Sequence, residues 1–142
     1  MGVDLLEPAG VLVRIVDEAD LILVRQKLRA ASDHAGLGLV DQTKLITAGS
    51  ELARNILTYA TGGRGSMRAE QVQADGRVGV RAVFEDEGPG IADLDLALTD
   101  GYSTAGSLGL GLPGARRLVD TMQIDSSPGS GTTVVILKWG RR

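Results

Sequence analysis

The stretch Arg77 to Asp86 constrains the fold most. Val78, Val80, Ala82 and Phe84 alternate with Arg77, Arg81 and Glu85, the period of a strand with one apolar and one polar face. Continued by two residues, the alternation carries Asp86 onto the apolar face, where an unpaired carboxylate is expensive. Either the strand bends before Asp86 or the carboxylate has a buried polar partner. Gly88-Pro89-Gly90 then breaks the strand. A preceding run, Met67 to Gln73, is joined to this strand by Ala-Asp-Gly, a hairpin signal.

A sheet with one apolar face needs helices to cover it. Residues 1–10 have no clear period and contain Pro8 and Gly10, so we read a loose arm ahead of one domain over 11–142. Val11 to Val16 reads as a first strand. Asp17 is placed to cap a helix with Leu21, Val24, Leu28, Ala31 and Ala35 on one face, ended by Gly36 and Gly38. A second helix, from about Asp41 to Ala60, carries the stripe Leu45, Gly49, Leu52, Ile56 and Ala60. Gly49 costs ~1 kcal/mol against Ala in a helix, which implies a close neighbour. Gly62 to Gly65 stops this helix. Ala92 to Thr99 is a short helix candidate, and Asp100 to Gly109 is polar and flexible in character. Pro113 suits the first turn of a third helix running to about Met122. Gln123 to Ser126 and Thr132 to Trp139 read as a closing hairpin turned by Pro128 to Gly131. The fold class is α+β: a two-layer sandwich, with a mixed, mostly antiparallel sheet covered on one face by three helices.

Composition removes several function classes. Net charge is −3, no Lys/Arg stripe is visible and aromatics are few, which speaks against nucleic-acid binding. Cysteine is absent, which suits a reducing cytoplasm, and one His, His34, makes no zinc site alone. No apolar run reaches the ~20 residues of a membrane span, and the N-terminus lacks a signal pattern. We therefore expect a cytoplasmic protein. Met1-Gly2 is not read as a myristoylation signal, because position 6 is Leu.

Three places carry chemistry. The run Gly106 to Gly114 leads into a helix start, where bare backbone amides and the helix dipole favour an anion such as phosphate. It is neither a Walker loop nor a dinucleotide fingerprint, and a linker is an equal reading of this run alone. Asp86 is a suitable partner for an adenine amino group above an apolar pocket. Glu51 and Asn55 lie one helical turn apart on one face. A solvated polar face explains two such residues, but an Asn oxygen also suits Mg²⁺ and a carboxylate one turn away suits a general base.

In order, these strings resemble the four boxes of the Bergerat-fold ATPases, the superfamily of gyrase, bacterial histidine kinases and heat-shock chaperones. The boxes fall at Glu51/Arg54/Asn55, Asp86/Gly88/Gly90, Gly109/Gly111/Gly114 and Gly131/Thr132, and the telling strings are Ser50 to Ile56, Glu85 to Ile91, Asp100 to Thr104 and Gly109 to Gly114. Within that superfamily the chain resembles the small serine kinases that regulate bacterial sigma factors, above all the stressosome switch kinases. The likeness runs from about residue 11 to Trp139. It implies ATP and Mg²⁺ as cofactors, with Glu51 as general base and Asn55 as the Mg²⁺ ligand. It implies that Asp86 reads adenine, that Gly88 and Gly90 shape its pocket, and that Thr132 sits near the base. Residues 100–112 would form a lid, with the amides around Gly109, Leu110 and Gly111 over the phosphates; Ser103 and Thr104 read equally well as phosphate contacts or as plain lid polarity. The implied partners are a STAS-domain substrate and a PP2C-type phosphatase, with a homodimer also allowed by the likeness. Two alternatives stay open: an anti-sigma kinase that sequesters a sigma factor, and a non-catalytic module gated by nucleotide. A histidine kinase fits less well, for want of a helix pair bearing a phospho-acceptor His. Arg54 reads equally well as a surface ion pair, and Tyr59 and Trp139 as packing.

Overall fold

The computed structural model describes residues 12–59, 64–87, 111–126, 129 and 131–140. Within them the elements run β1 (Leu12–Ile15), α1 (Ala19–Ala35), α2 (Leu39–Tyr59), β2 (Gly65–Ala74), β3 (Arg77–Asp86), α3 (Leu112–Leu118), β4 (Thr121–Ser126) and β5 (Thr132–Trp139). The strands form one sheet in the order β1-β2-β3-β5-β4. Every pairing among the described residues is antiparallel, so the expected sandwich is present and no parallel pair appears among them.

The β2–β3 hairpin closes on Asp75 and Gly76, at φ 53° and 75°. Both central residues are left-handed, the turn whose twist matches paired strands. That turn fixes the register, Ala74 opposite Arg77 through Gly65 opposite Asp86. Val80, Ala82 and Phe84 thereby face the helices and are buried, as the alternation requires. On the other face Arg81 pairs with Glu70, Arg68 with Glu85, and Arg77 lies 5.3 Å from the Trp139 ring centroid. The last contact agrees with a packing role for Trp139.

Helix α1 begins at N-cap Glu18, one residue beyond the expected Asp17. Asp17 still accepts the Ala19 N–H at 3.0 Å, and Asp20 accepts those of Val16 and Asp17. At the other end Gly36 is left-handed, and the N–H groups of Gly36 and Leu37 bond to the carbonyls of Asp33 and Ser32. This is a glycine cap of the kind the sequence predicts. Leu21, Val24, Leu28 and Ala31 are buried from α1, and Leu45, Leu52 and Ile56 from α2. They meet Ile15, Met67, Ala69, Val134 and Ile136 of the sheet in one core. Gly49 faces Leu28 and Phe84, and a Cβ there would lie 3.3 Å from Phe84 Cζ and closer still to Leu28 Cδ1. The costly helical glycine lets two helices and the sheet meet.

The third helix is shorter than the sequence suggests. It ends at Leu118, Val119 is extended, and Thr121 and Met122 already belong to β4. Pairing along β5, Met122 opposite Ile136 and Ile124 opposite Val134, outweighs the local helical pattern. The arm over 1–10, Ala60, the helix candidate 92–99 and the segment 100–109 lie outside the described residues.

Candidate active site

Five strands have ends level with one another. Ile15, Gly65, Asp86, Thr132 and Ser126 form a row across β1, β2, β3, β5 and β4, each opposite the next. Directly opposed residues share a face, so this row continues the helix-facing side of the sheet. The strand does not bend before Asp86; it pairs through Asp86 with both neighbours, and the side chain is half-buried. Of the two readings of Asp86, the bend is removed.

Two glycines draw the backbone tight around it. A Cβ on Gly65 would run into the Glu85 carbonyl and lie 2.8 Å from Ile56 Cγ2. Gly131, at φ 77°, would drive a Cβ into the Asp86 carbonyl. Through Ile56, helix α2 rests directly on the end of the sheet that holds Asp86. Asn55 and Glu51 are the residue before Ile56 and the one a turn earlier, both half-buried.

Glu51 has a fixed neighbour in Gly111, the N-cap of α3 at φ 65°. A Cβ on Gly111 would lie 2.6 Å from Glu51 Cδ and 2.9 Å from Oε2. On the flank away from the site, Ser50 donates to the Ile46 carbonyl at 2.7 Å and accepts from Arg25 Nε at 3.0 Å. Arg54 reaches Glu18 at 3.4 Å with both side chains more than half exposed, the surface ion pair already considered for it. At the far end of the row Ser126 Oγ lies 2.8 Å from Thr132 Oγ1 and donates to the Gly131 carbonyl at 3.1 Å.

Thus Glu51 and Gly111 meet directly, Asp86 and Thr132 are register partners, and α2 links the two pairs. Gly88, Gly90, Ser103, Thr104, Gly109 and Leu110 lie outside the described residues. Sequence reasoning missed Gly65, which it read only as a helix stop, and Ser126. Alternation outward from Met122 and Ile124 carries Ser126 to the strand end on the apolar face, the same signal that singles out Asp86.

Among the described residues no three His, Cys, Asp or Glu side chains gather into a metal cluster. The donor chemistry fits a Mg²⁺ ion held by one protein oxygen, that of Asn55, with phosphates and water completing the shell. A cleft of about 560 Å³ opens behind Asp86, lined by Arg14, Arg64, Ser66, Glu85 and Thr133. It lies largely on the open face of the sheet and includes neither Glu51 nor Asn55, so we do not assign the nucleotide to it. No helix among the described residues is long and apolar enough to cross a membrane.

Among the described residues a five-stranded antiparallel sheet lies under three helices, with these residues gathered at one end. The chain belongs to the histidine kinase-, DNA gyrase B- and HSP90-like ATPases, whose family model matches residues 40–140. It is 46% identical over 129 residues to the serine/threonine-protein kinase RsbT of Bacillus subtilis (strain 168), covering 91% of this chain and 96% of that one. That relative bears out the expected enzyme class, a serine/threonine kinase. Among solved structures, the nucleotide-free catalytic domain of the histidine kinase ThkA superposes with a TM-score of 0.52 at 14% identity, covering 90% of this chain and 95% of that one. At that identity the likeness carries the fold alone.

Proposed function

We propose that this protein transfers the γ-phosphoryl group of ATP to a Ser or Thr of a small STAS-domain regulator in a sigma-factor partner-switching pathway. In the same reading it then engages and activates a PP2C-type phosphatase. The observation that carries the reading is the seating of α2 on the Asp86 end of the sheet through Ile56 and Gly65. It sets the helix that carries Glu51 and Asn55 against the strand end that carries Asp86. The 46% identity to a serine/threonine kinase supports it.

Each residue then has a task. Asp86 accepts from the adenine amino group, with Thr132 beside it and Gly88 and Gly90 shaping the pocket. Asn55 would hold Mg²⁺, which would supply neutralisation of the phosphate charge. Ser103, Thr104 and the amides around Gly109, Leu110 and Gly111 receive the phosphates. The partner's hydroxyl oxygen bonds to the γ-phosphorus as the bond to the β,γ-bridging oxygen breaks. ADP departs, and the hydroxyl proton passes to the Glu51 carboxylate. Catalysis of this kind is chiefly positioning and charge stabilisation.

The test is intact mass of the protein and of STAS-domain candidates after incubation with Mg-ATP. The expected result is one phosphate gained by a partner and lost when its acceptor residue is Ala. ATP binding with no transfer to any partner would sink the kinase reading and leave a nucleotide-gated binding module.

A further inference from the structure

The hydroxyls at the end of the sheet can be assigned donor and acceptor roles without seeing a hydrogen. Ser126 Oγ is within hydrogen-bond distance of the Gly131 carbonyl, 3.1 Å, and of Thr132 Oγ1, 2.8 Å. A carbonyl only accepts, and a serine carries one proton whatever else it accepts. Both contacts are satisfied only if Ser126 gives its proton to Gly131 and Thr132 gives its proton to Ser126. Thr132 then keeps lone pairs alone for anything above it. Its register partner on the same face is Asp86, whose carboxylate also only accepts.

We infer that Ser126 is a positioning residue for base specificity: it fixes the Thr132 hydroxyl as an acceptor, so the Asp86–Thr132 pair favours a 6-aminopurine over a 6-oxopurine. This rests on the nucleotide reading given above. A 6-amino group supplies hydrogens to such a pair. A 6-oxopurine can satisfy Asp86 with its N1–H, but its O6 then meets the lone pairs of Thr132. The discrimination comes from the polar mismatch, which rejects more strongly than shape does. Ser126 needs no contact with the base; it acts through the direction of one proton.

Removing Ser126 liberates that proton. In Ser126→Ala, Thr132 can turn its hydroxyl and donate to O6, so the 6-oxo base gains a partner. The experiment is equilibrium binding of Mg-ATP and Mg-inosine triphosphate to the full chain and its variants. Wild type is expected to favour ATP. Ser126→Ala is expected to narrow the ATP-to-inosine triphosphate preference by roughly tenfold, mainly by tighter binding of the latter. Ser126→Thr, which keeps the hydroxyl, keeps the wild-type ratio. In a Thr132→Val background Ser126→Ala leaves the ratio where Thr132→Val alone puts it. A purely structural role for Ser126 would weaken both nucleotides in parallel, and an unmoved ratio in a folded Ser126→Ala overturns the inference while the nucleotide site stands. Should circular dichroism show Ser126→Ala unfolded, Ser126→Cys gives the same reading, with a weaker donor in the same place. Wild type binding neither nucleotide would overturn the nucleotide reading first, and this inference with it.

Discussion

Gly111 and Glu51 share one space: a methyl group on Gly111 would come within 2.7 Å of the Glu51 Cγ and 2.6 Å of its Cδ. The side chain with the proposed task of taking the proton is seated against the residue that starts α3. Gly111→Ala is therefore expected to cost twice. Its φ of 65° costs an L-residue about 1 kcal/mol. The displaced carboxylate should also lower single-turnover phosphoryl transfer at least tenfold, the scale on which positioning acts. In a Glu51→Ala background the methyl has room, so Gly111→Ala should there cost only the backbone strain. Equal thermal destabilisation by Gly111→Ala in both backgrounds would show that the contact does not matter.

Glu51 and Asp86 should separate cleanly in function. Glu51→Ala is expected to retain ATP binding and to lose transfer by two orders of magnitude or more, about the range for a general base. Asp86→Ala should lose nucleotide binding itself. Titration calorimetry with Mg-ATP, beside transfer measured by mass, reads both. Equal loss of nucleotide affinity in the two variants would contradict the division of roles.

Gly65 is expected to be intolerant of Ala although it has no polar group to lose. The added Cβ would meet the Glu85 carbonyl of the paired strand and Ile56 of α2. Backbone on one side and a buried side chain on the other leave little to yield, so overpacking should cost about 1–3 kcal/mol. The strand end carrying Asp86 should shift with it, and ATP affinity should fall. Urea unfolding and nucleotide binding on the same variant check both. Unchanged affinity in a measurably destabilised protein would separate the packing from the site.

What could be read in the sequence was local. The alternation from Val78 to Phe84, the left-handed turn at Asp75-Gly76 and the glycine cap at Gly36 each declare themselves within a few residues, and the structure holds all three. Gly49 could be read too, because a glycine in a helical stripe has a cost that needs a reason. The end of α3 could not. Ala115, Leu118 and Met122 continue a helical spacing, while Met122 and Ile124 alternate as a strand, and only the β5 partner decides between them. The need for Gly65 is set by Glu85, 20 residues on, and the seat of Glu51 by Gly111, 60 residues on. Ser126 gains its meaning only from Thr132 across the strand. Contacts that build a site from distant segments leave no period to find.

Lys138 gives a last prediction, about stability alone. It lies on the helix-facing side of β5, opposite Val80, where apolar residues precede it at Val134 and Ile136. Its ammonium is 3.7 Å from Asp41 Oδ1 and 4.0 Å from Asp120 Oδ1, and Asp41 is slightly more buried than Lys138 itself. Asp41 also lies in the first turn of α2, where the helix dipole favours a carboxylate. Lys138→Met fills the space with an apolar chain but takes the ammonium away from a buried carboxylate. The loss of one partner from such a pair costs about 3 kcal/mol, and the helix dipole offsets part of that. Asp41→Asn added to Lys138→Met removes that buried charge and should recover part of the loss. Urea denaturation of the two single variants and the double variant gives the coupling directly. If the double variant is destabilised by the sum of the single effects, the pair is not coupled, and Lys138 contributes through its hydrocarbon stem instead.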